Sequence, residues 1–246
     1  MNIRHSTRHR PYPIPESPWI MKQEWHELLF AHWSLPPEVL RPMIPPGLEL
    51  ETFDGDAWLG IVPFRMSGVR MRMAAALPWI SAFPELNVRT YVTHNGNPGV
   101  FFFSLEAANP VAVQLARRLY NLPYFYADMT CQNTGGDSIQ YRSFRTHRNA
   151  PPAQFIGRYR PTGEAREASD FENWLTARYR LYAVDARGGI YRGEIHHLPW
   201  SLQPAEAEIE QNTMALCHGI TLPDVPPLLH YSRYLEVLIW GLQRIP

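Results

Sequence analysis

Two strand-forming runs, residues 87–93 and 99–105, face each other across Asn95-Gly96-Asn97-Pro98. That is strong turn chemistry, and the same device recurs along the chain. Asp54-Gly55 joins a short apolar/polar alternation at 48–53 to a return strand at 57–66. Gly135-Gly136-Asp137 joins 124–132 to 138–146, and 180–184 pairs with 190–195 across 185–189. Strands that follow one another in hairpins, rather than alternating with helices, argue against a doubly wound sheet. They favour a closed or nearly closed antiparallel assembly, a mainly β (β-rich α+β) fold.

The remaining elements fit that frame. Residues 23–34 read as a strand with Leu28 and Phe30 apolar and His26 and His32 interleaved. Pro36-Pro37-Glu38 opens one or two helical turns that end before Pro45-Pro46-Gly47. Residues 70–76, rich in Met and Arg, form a flap or loop. Phe101, Phe102 and Phe103 are apolar on both faces, which predicts a central strand covered on both sides. Asn109 is an N-cap followed by Pro110 at N1, with Val111, Leu115 and Leu119 as an apolar stripe of a helix that stops at Pro123. Ser169 or Asp170 caps a short helix running to about residue 178. Glu206, Glu208 and Glu210 alternate with apolar residues as a half-exposed strand, and a last strand lies near 228–242. The count is about ten strands and two clear helices.

With 45% hydrophobic and 13% aromatic residues, the 246-residue chain has ample material for a core. Its 23 basic and 23 acidic residues cancel, so it has no global field for nucleic acid or an anionic membrane, and neither is expected as a partner. No apolar run is long enough to span a bilayer. Residues 1–18 are basic and Pro-rich without a signal-like apolar stretch, and predict a disordered arm or a basic arm for an acidic partner. Residues 19–246 predict a single domain. The two cysteines, Cys131 and Cys217, fit a reducing compartment, with the cytoplasm as default. Among the basic residues only Lys22 is a lysine.

Familiar chemical devices are missing. There is no G-x-G-x-x-G, no phosphate-binding P-loop, no nucleophile elbow and no C-x-x-C. His26-Glu27 begins like a zinc-protease helix, but Phe30 stands where the second histidine would be. No metal and no cofactor is therefore expected.

Three constellations remain. On a strand, Glu85, Asn87, Arg89 and Tyr91 share one face while Leu86, Val88 and Val92 share the other. The polar row reads either as the wall of a polar cavity or as a solvated face with an ordinary Glu–Arg pair. His196 and His197 precede Trp200 and point to opposite faces, so they cannot easily ligate one metal; one lines a cavity or both pack. His32-Trp33 reads the same way. Arg117 and the pair Tyr124 and Tyr126, which would share a face, offer an anion contact and phenolic donors for an oxyanion, or simply aromatic packing.

Taken together, Phe83-Pro84-Glu85-Leu86-Asn87-Val88-Arg89-Thr90-Tyr91-Val92, the 99–105 strand, residues 116–124, 175–182 and 196–200 resemble the YqjF-like family of uncharacterised proteins. That family is distantly similar to acetoacetate decarboxylase. The resemblance implies a cone-like antiparallel β-barrel with two or three flanking helices, and a fold that assembles, so a homo-oligomer is compatible with it. It also implies that Glu85 is the counterpart of a decarboxylase active-site glutamate, and that Tyr124 stands where the decarboxylase has its Schiff-base lysine. Tyrosine cannot form an imine and arginine is always protonated, so imine-based decarboxylation is rejected. Two readings are carried forward. One is an enzyme, lyase- or isomerase-like, that acts on a small carbonyl or carboxylate compound, with Glu85 and Tyr124 catalytic. Asn87, Arg89, Tyr91, Tyr126, Arg117 and His196 would bind the substrate. The other is a non-catalytic ligand-binding or sensing module using the same cavity.

Overall fold

The computed structural model describes residues 3–74 and 81–246. Their thirteen strands belong to one sheet that closes on itself twice. Five strands make a common wall: β12 (Leu228–Ile239), β1 (Met21–Leu35), β3 (Ala57–Met71), β4 (Phe83–His94) and β5 (Asn97–Ala107), paired antiparallel in that order. From the β5 end the wall returns to β12 by two routes. The short one runs through β9 (Arg180–Val184) and β10 (Ile190–His196), closing a seven-strand ring. The long one runs through β6 (Tyr124–Asn133), β7 (Ile139–Arg145), β8 (Gln154–Pro161) and β11 (Gln203–Asn212), closing a nine-strand ring. Short strands β2 (Glu49–Leu50) and β13 (Gln243–Ile245) flank β4 and β10.

A wall between two rings is covered on both faces, and this explains β4. From Glu85 to Val92 every residue is buried, whatever its parity. Leu86 and Val88 point into the nine-strand ring, packed with Tyr141, Phe155 and Tyr159. The strand neighbours of Glu85 are Phe64 and Ala107, which belong to the other cluster, with Phe30, Trp200 and Val237. Glu85, Asn87, Arg89 and Tyr91 therefore face the seven-strand ring.

The hairpins at Asp54-Gly55, Asn95-Gly96 and Gly135-Gly136 form with the positive φ angles their residues suggest. Two pairings depart from the antiparallel expectation: β5 pairs parallel with both β6 and β9. The first follows from α2 (Pro110–Tyr120), because a helix placed between two strands brings the chain back to the end where it began. Asn109 caps α2 by accepting from the amides of Val111 and Ala112. The apolar stripe of α2 does not face inward as its spacing suggests. Val111 and Leu115 are exposed, the buried side is carried by Val113, and the Leu119 side chain lies outside the described residues. Strands β8 and β13 are additions to the sequence reading. Helices α1 (Pro37–Leu40) and α3 (Asp170–Thr176) lie where the prolines and Ser169 place them. Of the 70–76 flap, residues 70 and 71 end β3, and 75 and 76 lie outside the described residues. No helix among the described residues is long and apolar enough to cross a membrane.

The N-terminal arm, expected to be disordered, lies against the seven-strand ring. Ile3 packs with Leu238 and Trp240. The Arg10 side chain is 0% exposed, donates to the Ile195 carbonyl at 2.6 Å and pairs with Glu194 at 3.3 Å.

Candidate functional site

The site grows from a row across three strands. His32 on β1 pairs with Gly60 on β3, and Gly60 pairs with Arg89 on β4. A methyl group at Gly60 would come within 3.1 Å of the His32 ring and 3.4 Å of the Arg89 side chain. The glycine is what lets these two large side chains lie together over the wall. Both are buried, and Phe30 stacks on the His32 ring and lies 5.2 Å from the Arg89 guanidinium.

Helix α3 closes this end of the ring. It is fixed by a capping box between Ser169 and Glu172, and Glu172 is bound in turn by Arg166 and His230. Burial alone would raise the Glu172 carboxyl, but Arg166, Ser169 and His230 together pull it down to about 2. The last carbonyls of a helix lack partners within it, and here they are met by the site. Trp200 donates to the Thr176 carbonyl at 2.7 Å; the Tyr91 hydroxyl (2.7 Å) and Arg89 (3.1 Å) donate to that of Leu175. With its proton committed to Leu175, the Tyr91 oxygen accepts from Nε2–H of His32 at 2.7 Å. Burial and the neighbouring Arg89 hold the His32 pKa well below its usual value, so the ring is neutral.

At the other end of the polar row, the Tyr124 hydroxyl donates to Oε2 of Glu85 at 2.8 Å. Glu85 is 4% exposed, and burial lifts its pKa to about 8, with Glu106 adding to the rise and the Tyr124 bond opposing it. Tyr124 is pushed well above 10 by burial and by Glu85, so it stays a donor. The fully buried Glu106, on the opposite face of the wall, is neutralised by Arg145. Between the two ends, Oδ1 of Asn87, Nε of Arg89 and Nδ1 of His32 are buried without a partner in the protein. Such groups are costly unless something pairs with them.

The other residues singled out from sequence fall elsewhere. Tyr126 is exposed, because β6 parts from β5 after Ala107 and the face that carries Tyr124 inward then meets solvent. Arg117 is exposed too, and it fastens the Tyr124 carbonyl at 2.6 Å rather than reaching the ring. His196 is fully buried against the arm, bonded to the Ile3 carbonyl at 2.9 Å and stacked on His9. Lys22 is tied to Glu236 at 2.6 Å across β1 and β12. His32, read from sequence only as a packing residue or one cavity-facing member of a pair, belongs with Arg89 and Tyr91. Strand parity puts it on the same face as Phe30 but does not tell packing from binding.

Two clefts open nearby. One of about 190 Å³ lies between the arm and α3, lined by Tyr12, Trp174, Arg178 and Tyr179 among others. Trp174 and Arg178 rest on the Tyr91 ring, at 4.7 and 4.8 Å. The other, about 550 Å³, lies around Asp137, Gln203 and Arg233. Neither is lined by Glu85 or Arg89.

The seven-strand ring, with a second sheet branching from its wall, has the fold of acetoacetate decarboxylase-like proteins. Acetoacetate decarboxylase from Legionella pneumophila superposes with a TM-score of 0.66 at 12% identity, covering 99% of this chain and 94% of that one. The enduracididine biosynthesis enzyme MppR, complexed with a condensation product of pyruvate and imidazole 4-carboxaldehyde, gives 0.66 at 11% identity over 93% and 90%. Within that class the chain belongs to the DUF2071 family of uncharacterized conserved proteins, whose profile matches residues 22–236. It is 47% identical over 233 residues to the uncharacterized protein YqjF of Bacillus subtilis (strain 168), covering 94% of this chain and 95% of that one.

Proposed function

We propose that the chain binds a small carboxylate compound inside the seven-strand ring, its anion on Arg89, and that Glu85 exchanges a proton with a carbonyl oxygen of that compound without any covalent amine. The observation that carries this reading is Arg89. It is a guanidinium 8% exposed, bonded to one carbonyl, with an unpartnered Nε and no carboxylate in ion-pair range among the described residues. A buried charge calls for a counter-charge, and guanidinium suits carboxylate geometry. That MppR, with the same fold, is solved with pyruvate is in keeping with an oxo-carboxylate.

At neutral pH Glu85, with a pKa of about 8, holds its proton. It can lend that proton to a carbonyl oxygen and take it back, while the Tyr124 hydroxyl stabilises the carboxylate left behind. Binding without turnover is the second reading, favoured by the closure of the ring over Glu85 and Arg89. Calorimetric titration with pyruvate tests the proposal. Binding that is lost, at least tenfold, in Arg89→Met supports it; equal affinity in that variant refutes it. Mass spectrometry of the incubated ligand separates an enzyme from a binder, and Glu85→Gln abolishes turnover if Glu85 is the acid.

A further inference from the structure

The hydrogen-bond directions around Tyr91 fix more than a resting geometry. Its hydroxyl proton lies on the Leu175 carbonyl, so His32 must carry its own proton on Nε2 to reach the Tyr91 oxygen. Nδ1 is then a bare lone pair, and it is buried with no donor in the protein facing it. It belongs to the same three-strand row as Arg89, across Gly60. One neighbour thus offers an unfilled donor, the Nε–H of Arg89, and the other an unfilled acceptor.

Resting on the reading above, we infer that the ligand seated on Arg89 carries, besides the carbonyl that Glu85 would protonate, a hydroxyl that donates to Nδ1 of His32, so that its class is a hydroxy-substituted oxo-carboxylate. A carboxylate alone, or an oxo-carboxylate without a hydroxyl, has only acceptors and leaves Nδ1 unmet. An ammonium group would supply donors but would bring a second positive charge beside Arg89, inside the ring. A hydroxyl supplies the donor without the charge. His32 is thereby a specificity-determining residue, and Tyr91, through the Leu175 carbonyl, is the positioning residue that sets its tautomer.

The test uses one carbon skeleton in three states: propionate, pyruvate and lactate, titrated calorimetrically into the full chain at pH 7. Lactate is expected to bind about tenfold tighter or more than propionate, the value of one otherwise unmet buried hydrogen bond. In His32→Phe the preference disappears while propionate affinity changes by less than about threefold. In His32→Gln, which keeps an amide donor for Tyr91 and an acceptor for the ligand, part of the preference returns. Ring-nitrogen NMR of the wild-type chain needs no variant to fold: the Nδ1 resonance of His32 shifts with lactate and stays put with propionate. Lactate binding no tighter than propionate, or an unmoved Nδ1 resonance, overturns the inference and leaves the carboxylate reading standing. Failure of all three acids to bind removes the carboxylate reading itself, and the inference with it.

Discussion

Glu85 shows how strongly a single position can be set by its surroundings. Its carboxyl takes up a proton on folding, because burial raises its pKa from 4.5 to about 8. Between those values the folded chain holds a proton that the unfolded chain releases, so stability is full below pH 4.5 and is lost as pH rises toward 8. The loss is on the order of 3–5 kcal/mol. Glu85→Gln is neutral at every pH, so it removes this dependence: urea melts of variant and wild type should agree closely at pH 5, with the variant more stable at pH 8. A wild-type curve that runs parallel to the variant's between pH 5 and 8 would mean that Glu85 is ionised in the fold across that range. The shared face of Glu85, Asn87, Arg89 and Tyr91 was legible in the sequence, because strand parity alone dictates it. His32 was not legible, since a histidine among apolar strand residues reads the same whether it packs or binds. Only the proton on Tyr91, a matter of tertiary contact, distinguishes the two.

Among the elements, the N-terminal arm departs furthest from its composition. Basic, Pro-rich segments lack the apolar surface to fold alone, and nothing local in residues 1–18 says otherwise. The partners are some 185 residues away, at Glu194, Ile195 and His196. Arg10 also lies 4.8 Å over the Tyr179 ring. Arg10→Ala strips all of these contacts and should cost about 2–4 kcal/mol in chemical denaturation, whereas Arg8→Ala, at an exposed position, should leave the midpoint unchanged. An unchanged midpoint in both variants would mean that the Arg10 contacts contribute nothing to the fold. Strand β8 carries only a faint alternation in its sequence. Phe155, Gly157 and Tyr159 are buried while Gln154, Ile156 and Arg158 are not, but a glycine in the middle of so short a run dilutes the alternation.

For the molecule as a whole, the hairpin pattern announced a closed β architecture, and the parallel joints of β5 could not be seen because they depend on where α2 and β9 dock. The expectation of no amine chemistry rests on residue types alone. Lys22, the only lysine, is held by Glu236 on the β1–β12 seam, away from Tyr124. Pyruvate followed by borohydride should therefore leave no added mass on residues lining the ring, and Lys22→Arg should bind pyruvate as the wild type does. A reduced adduct on Lys22 that disappears in that variant, together with its pyruvate affinity, would restore a covalent mechanism.

Strand β5 gives its first half to β9 and its second half to β6, while its other edge stays zipped to β4 along its length. One ribbon thus serves as the seam of two enclosures. Tearing it from β4 would breach both at once, whereas the seven-strand ring alone can part where β9 meets β5 or β10 meets β12, each a seam of two residue pairs. On the ligand reading proposed above, the ways in are those two short seams and the end covered by α3 and the arm.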